Sequence, residues 1–174
     1  MSRRTSPGAR VVWSIGSNVG DRLAHLQAAV DAIAREAGPV RALSPVYETA
    51  PWGPVDQDDF LNAIVINDTS ATPEQLLAIC AAIEQAAQRT RPVRWGPRTL
   101  DVDLVVVGDA QRTTDDLTLP HPRAAERAFV LVPWAAADPD AQLAGARVDD
   151  LIEALSADEV AGVRRTAHGL RMPA

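Results

Sequence analysis

The chain has 174 residues, a formal net charge of -6 and a pI near 5.0. That length suits one domain with a substantial core, and a single domain over residues 9–174 behind a flexible tail at 1–8 is expected. The acidic balance argues against a general nucleic-acid binder, and no apolar run approaches the ~20 residues of a membrane span. Aromatic residues make up only 4% of the chain, so the core is expected to be built from Leu, Val, Ile and Ala. Cys80 is the only cysteine, which excludes an intramolecular disulfide and fits a reducing cytoplasm. Arg3 and Arg4 are followed by no apolar run, so no secretion signal is expected.

In chain order, residues 9–15 read as a strand that Gly16, Ser17 and Asn18 break. A helix over 20–37 follows, with Leu23, Leu26, Val30, Ile33 and Ala37 at helical spacing and Gly38-Pro39 as its stop. Residues 40–47 predict a second strand, interrupted at Pro45, and 48–59 a long loop with Pro51, Gly53 and Pro54. A third strand covers 60–67. Thr72, Pro73 and Gln75 carry the signature of a capped helix start, and that helix is expected to reach about residue 88. Residues 99–107 predict a fourth strand bounded by Gly108. The order strand-helix-strand-strand-helix-strand is that of an α+β, ferredoxin-like βαββαβ sandwich with C-terminal additions. Beyond it, 109–116 reads as a polar connection, 117–119 as a short strand, and Pro120-His121-Pro122 as a rigid turn. Residues 124–137 read as a helix interrupted by Pro133, and 149–155 as a weaker helix.

The chemistry concentrates between Arg89 and Leu104. Asp101 and Asp103 alternate with Leu100, Val102 and Leu104, so a strand puts both carboxylates on one face, about 7 Å apart along the chain. Such a pair repels itself unless a cation lies between, and hard oxygens without His or Cys suit Mg²⁺ completed by phosphates. Arg89, Arg91, Arg94 and Arg98 lie just upstream, and guanidinium forks match phosphate oxygens. Together these features point to phosphoryl-type transfer from a nucleotide. A solvated strand face, or pairing of the carboxylates with those same arginines, is the alternative.

Several stretches together resemble one family, the 6-hydroxymethyl-7,8-dihydropterin pyrophosphokinases of folate biosynthesis. They are Ser14-Ile15-Gly16-Ser17-Asn18, Val46 through Pro54 with Gln57, Phe60-Leu61-Asn62-Ala63, Arg94 through Leu104, and Leu119 through Arg123 running on to Phe129. The resemblance spans roughly residues 11–139. It implies transfer of the β,γ-pyrophosphoryl group of ATP to the pterin hydroxymethyl oxygen, with AMP released and two Mg²⁺ ions required. It assigns both metals to Asp101 and Asp103, triphosphate neutralisation to Arg89 and Arg98, and closure over the substrates to Trp95. The pterin would meet Thr49, Ala50, Trp52, Phe60, Asn62 and Phe129, with the two Phe rings sandwiching the heterocycle and the Asn62 amide reading its edge. ATP would meet Glu84, Leu104, His121 and Arg127. Trp52 and Pro122 depart from the aliphatic and aromatic residues that family members often carry there.

The expected partners are ATP and the hydroxymethylpterin, with no nucleic acid or membrane and a monomer as the working state. A two-metal nucleotidyltransferase and a non-enzymatic ferredoxin-like binding module are the alternatives. Product analysis separates the first, and Mg²⁺-ATP binding the second.

Overall fold

The computed structural model describes residues 8–51, 53–87 and 99–174, which form a mixed α/β fold with helices on both faces of an antiparallel sheet. At its centre β1 (Ala9–Ser17) and β4 (Phe60–Thr69) pair over nine residues, from Ala9 opposite Thr69 to Ser17 opposite Leu61. The first strand thus runs through Gly16 and Ser17, which the sequence reading took as its breakers. Gly16 stays in register because a side chain there has no room, as described below. The third strand likewise continues two residues past the expected Asn67.

The predicted second strand is two strands, β2 (Val40–Leu43) and β3 (Tyr47–Thr49), and both pair with β4. The break has a local cause. Pro45 has no N–H to donate, and Ser44 takes over the pairing: its N–H donates to the Ile64 carbonyl at 3.0 Å while its Oγ accepts the Ile64 N–H at 2.8 Å.

Two helices cover one face. In α1 (Arg22–Glu36) the Asp21 carboxylate accepts the Ala24 N–H, and Leu26, Val30 and Ile33 turn inward, each contributing about 1.5–3 kcal/mol by burial. The helix ends at Gly38, whose φ of +126° excludes other residues and whose missing Cβ leaves room for the Asp68 carbonyl. In α2 (Pro73–Ala86) the predicted capping box forms: Thr72 Oγ1 accepts the Gln75 N–H at 3.2 Å, and Gln75 Oε1 accepts the Thr72 N–H at 2.9 Å. Both helices pack on Val11, Trp13, Ile15, Leu61, Ala63, Val65, Val102 and Leu104. The indole of Trp13 donates to Asn67 Oδ1 at 2.7 Å, so this large core aromatic buries no orphan polar atom.

The strand β5 (Asp101–Val107) pairs with β1 and carries a bulge: Val12 faces Val106, but Trp13 faces Leu104, leaving Val105 without an opposite residue. Val102 and Leu104 therefore join the α1/α2 side, while Val105 packs on the other face with Val12, Ile64 and Ile66. That second face is covered by α3 (Ala128–Ala137) through Val130, Leu131 and Trp134, after a 3-10 turn at Ala124–Glu126. Pro133 sits inside α3 without ending it.

The connection expected at 109–116 is half of a small hairpin, β6 (Arg112–Thr113) against β7 (Thr118–Leu119). A second hairpin, β8 (Gln142–Leu143) with β9 (Ala146–Arg147), leads into α4 (Val148–Glu153) and α5 (Ala157–Ala161). The chain then returns to the main sheet as β10 (Arg164–Arg165), paired with β3, an element the sequence reading did not anticipate. The order is β10-β3-β4-β1-β5, with β2 also on β4. Among the described residues no helix is long and apolar enough to cross a membrane.

Candidate active site

The α3 face of the sheet is apolar at one end and polar at the other. Following the strands by their period of two, Val12, Ile64, Ile66 and Val105 sit under α3. The same face continues toward Ser14 and Gly16 on β1, Asn62 and Phe60 on β4, and Asp103 and Asp101 on β5. Gly16 is opposite Asn62 on one side and Asp101 on the other, so Asn62, Gly16 and Asp101 form a row across three strands. Two strand spacings put the ends of that row about 10 Å apart, with no side chain between them.

Asn62 is buried and fixed. Its Nδ2 donates to Thr49 Oγ1 at 2.7 Å, both groups being under 8% exposed. A Cβ on Gly16 would stand 2.8 Å from Asn62 Oδ1 and 3.6 Å from Phe60 Cδ1, so the amide carbonyl lies over the glycine. Gly16 is a residue of this site that the sequence reading missed. Its only signal was a glycine inside a β pattern, which marks close approach as well as a break.

Asp101 and Asp103 are half-buried on the expected face. Behind them, the free edge of β5 is covered. The Val102 N–H donates to Glu84 Oε1 at 2.9 Å, and the Val105 carbonyl accepts the His121 N–H at 2.8 Å. Glu84 therefore binds the strand edge beside the carboxylates, a role not anticipated for it. Cys80 is buried on α2, and burial pushes its thiol well up, with Asp103, Glu84 and Asp101 adding to the shift. It is a buried core residue whose thiol stays protonated at neutral pH.

A cleft of about 220 Å³ opens along this edge, lined by Leu77, Leu104, Thr118, His121, Pro122 and Asp103 among others. Leu104 belongs to the α1/α2 core and shows one wall to the cleft. The His121 Nδ1 accepts the Arg123 backbone N–H at 3.2 Å, which leaves the ring proton on Nε2. Burial lowers the His121 pKa to about 4, helped by the positive charges of Arg127 and Arg123 and opposed by Asp101. The ring is thus a neutral donor at pH 7. Arg127 stacks on Phe129, with its guanidinium carbon 5.5 Å from the ring centre, and its buried Nε has no hydrogen-bond partner among the described residues. Such an orphan donor near His121 is suited to an anionic oxygen.

The structure thus brings together Asp101, Asp103, Glu84, Leu104, His121 and Arg127 at the β5 edge. Phe60 and Asn62 stand two strands away on the same face and Thr49 three, and the exposed Ala50 follows Thr49. Phe129 packs at the start of α3. Arg89, Arg91, Arg94, Trp95, Arg98 and Trp52 lie outside the described residues. Among the described residues no group of three or more His, Cys, Asp or Glu side chains encloses a metal. A pair of oxygen donors fits a cation that takes its other ligands from water and phosphate.

The arrangement, carboxylates beside a cleft and a rigid amide on one sheet face, is that of a small-molecule transferase site rather than a structural scaffold. Comparison with known proteins makes the class specific. The family 7,8-dihydro-6-hydroxymethylpterin-pyrophosphokinase matches residues 12–139, and the chain belongs to that family. It is 49% identical over 179 residues to a protein of Mycobacterium leprae, covering 94% of this chain and 92% of that one. It is 45% identical to one of Methylorubrum extorquens, covering 90% and 98%. Both are named 2-amino-4-hydroxy-6-hydroxymethyldihydropteridine pyrophosphokinase. The fold matches the crystal structure of wild-type Plasmodium falciparum HPPK-DHPS with a TM-score of 0.68 at 13% identity. That match covers 88% of this chain but only 45% of the other.

Proposed function

We propose that this chain transfers the β,γ-pyrophosphoryl group of ATP to the hydroxymethyl oxygen of 6-hydroxymethyl-7,8-dihydropterin, a step of folate biosynthesis. The new bond joins that oxygen to the β-phosphorus; the bond between the β-phosphorus and the α,β-bridging oxygen breaks, and AMP leaves. The observation that carries the reading is the shared sheet face, on which Asn62 and the Asp101/Asp103 pair stand about 10 Å apart across a glycine. Family membership does not favour the nucleotidyltransferase or the binding module.

The Asn62 amide, held by Thr49, orients the heterocycle by its edge, between the rings of Phe60 and Phe129 and against the backbone at Ala50 and Trp52. The pterin's alcohol then points toward Asp101. ATP occupies the cleft at the β5 edge, its base against Leu104 and its phosphates near His121 Nε2–H and the Arg127 guanidinium. His121 donates without adding charge, while Arg127 supplies it. Glu84 fixes the β5 edge beneath the nucleotide. Asp101 and Asp103 would hold two Mg²⁺, which when bound polarise phosphoryl oxygens and acidify the attacking alcohol. Arg89 and Arg98 neutralise the transferred group, and Trp95 excludes water that would compete with the alcohol.

The sheet order β3-β4-β1-β5 supports reading the core as ferredoxin-like, and the continuous packing supports one domain over 9–174. The lone buried Cys80 supports a cytoplasmic site of action. The deciding assay incubates the protein with Mg²⁺, ATP and the reduced hydroxymethylpterin. AMP with a diphosphorylated pterin is the expected outcome; pyrophosphate with an adenylylated product would replace the reading with nucleotidyl transfer.

A further inference from the structure

The loop over residues 50–59, which carries Ala50 and joins β3 to β4, is bracketed by Glu48 and Asp59. Both brackets are gripped from the C-terminal end of the chain, beyond the segment that matches the family. On β10, Arg164 stands opposite Glu48 in register. Its Nη2 lies 2.9 Å from Asp59 Oδ2 and 3.5 Å from Glu48 Oε1. A second arginine closes the ring: Arg22 Nη1, at the start of α1, donates to Glu48 Oε2 at 2.8 Å and to the Asp59 carbonyl at 2.9 Å. Two arginines thus bridge the Glu48 carboxylate to the carboxylate and backbone carbonyl of Asp59, joining the two ends of one loop.

The strand carrying Arg164 is itself pinned. The Thr166 N–H and hydroxyl both donate to the Val46 carbonyl at 2.9 Å, Leu170 packs on the core, and the Arg171 backbone exchanges two hydrogen bonds with Gln27. The loop's inner side has its own tether, Asn18 Nδ2 donating to Gln57 Oε1 at 2.8 Å and to the Asp58 carbonyl at 2.9 Å.

We infer that Arg164 is a positioning residue for pterin capture, holding Glu48 and Asp59 so that Thr49, Ala50, Phe60 and Asn62 are preset before the substrate arrives. This rests on the pterin reading above. Arg164 touches neither proposed substrate; it acts through the two carboxylates. Its exposed ion pairs are screened by salt, which gives the role a signature that a purely structural contact lacks.

The test compares wild type with Arg164→Ala and Arg164→Lys in the full chain, measuring KM for the pterin, KM for MgATP and kcat at 0.05 and 0.5 M KCl. Arg164→Ala is expected to raise the pterin KM about five-fold, leaving kcat and the MgATP KM within two-fold. Lysine should restore part of the loss, and raising salt should weaken pterin capture more in wild type than in Arg164→Ala, where the Arg22–Glu48 pair alone remains. An unchanged pterin KM in Arg164→Ala, or equal salt dependence in the two, overturns the proposal. Should Arg164→Ala not fold, the wild-type salt profile alone decides, and a pterin KM flat with salt refutes it. If wild type makes no diphosphorylated pterin at all, the underlying pterin reading fails instead.

Discussion

A methyl group added to Gly16 separates two opposing effects at the centre of the site. On the unfolded chain, Gly→Ala removes backbone freedom and stabilises the fold by about 0.4–1 kcal/mol where the native conformation allows it. At Gly16 the new Cβ would stand 2.8 Å from Asn62 Oδ1, 3.6 Å from Phe60 Cδ1 and 3.7 Å from the Leu61 carbonyl. The first contact is far closer than such atoms approach, so the Asn62 amide must move, yet its Nδ2 is committed to Thr49 at 2.7 Å. Overpacking of this kind costs about 1–3 kcal/mol, so the steric term wins by about 1 kcal/mol. For a chain of this size that lowers Tm by about 3 °C. A displaced amide would also lose the hydrogen bond proposed for it to the heterocycle, worth about 1.4 kcal/mol or ten-fold in pterin affinity. Gly16→Ala should therefore bind the pterin about ten-fold more weakly while MgATP binding stays within two-fold, as read by calorimetric titration of each ligand. A variant with raised Tm and unchanged pterin affinity would show that the lane over Gly16 is not where the substrate lies.

Asp101→Asn and Asp103→Asn should each lower kcat at least a hundred-fold with little change in Tm, read by AMP release and thermal melting. Near-normal turnover from both would remove the carboxylates from the reaction. Glu84→Ala strands the Val102 N–H and should cost about 1–2 kcal/mol in denaturant unfolding, whereas Glu84→Gln keeps an acceptor and should cost less. Equal losses would mean the bond to Val102 is not what Glu84 contributes. For His121, the unfolded chain titrates near 6.5 and the folded ring near 4. The unfolded state thus holds the extra proton between those values, and without ligands stability falls as pH drops through that window. After screening is allowed for, the loss is about 2 kcal/mol by pH 4. A His121→Asn chain should show a flatter urea midpoint from pH 7 to 4.5, and an unchanged slope would refute the burial of a neutral ring.

What the sequence made legible was what short-range periodicity controls. The alternation from Leu100 to Leu104 placed both aspartates on one face, and Thr72 with Gln75 announced its capping box, because each depends on neighbours within a few residues. The misreadings share another cause. Gly16 looked like a strand end because the reason for a glycine there, the Asn62 amide, lies 46 positions further along the chain. The bond of Glu84 to β5 went unread because its partner is a backbone N–H on another element, which no side-chain pattern reports. Arg164 and Arg165 carry no β signal, and they pair only because β3 offers an open edge.

The bulge at Val105 shows why the site needs more than the Asp-x-Asp spacing. From Asp101 to Val105 the odd-numbered residues share the carboxylates' face, and an unbroken ladder would keep Val107 there as well. With Val105 left unpaired, Val107 instead joins the α1/α2 core while Val105 remains under α3. One strand can then present oxygens at its first half and fill both cores with its second. The bulge also adds twist where the His121 N–H meets the Val105 carbonyl, so the turn bearing His121 is anchored at the irregular residue. Carboxylate face, cleft and histidine are thereby set by one strand, while Asn62, two strands away, depends on its own neighbours Thr49 and Gly16. Substitutions near Val105 should accordingly disturb the nucleotide half of the site first, and those near Gly16 the pterin half.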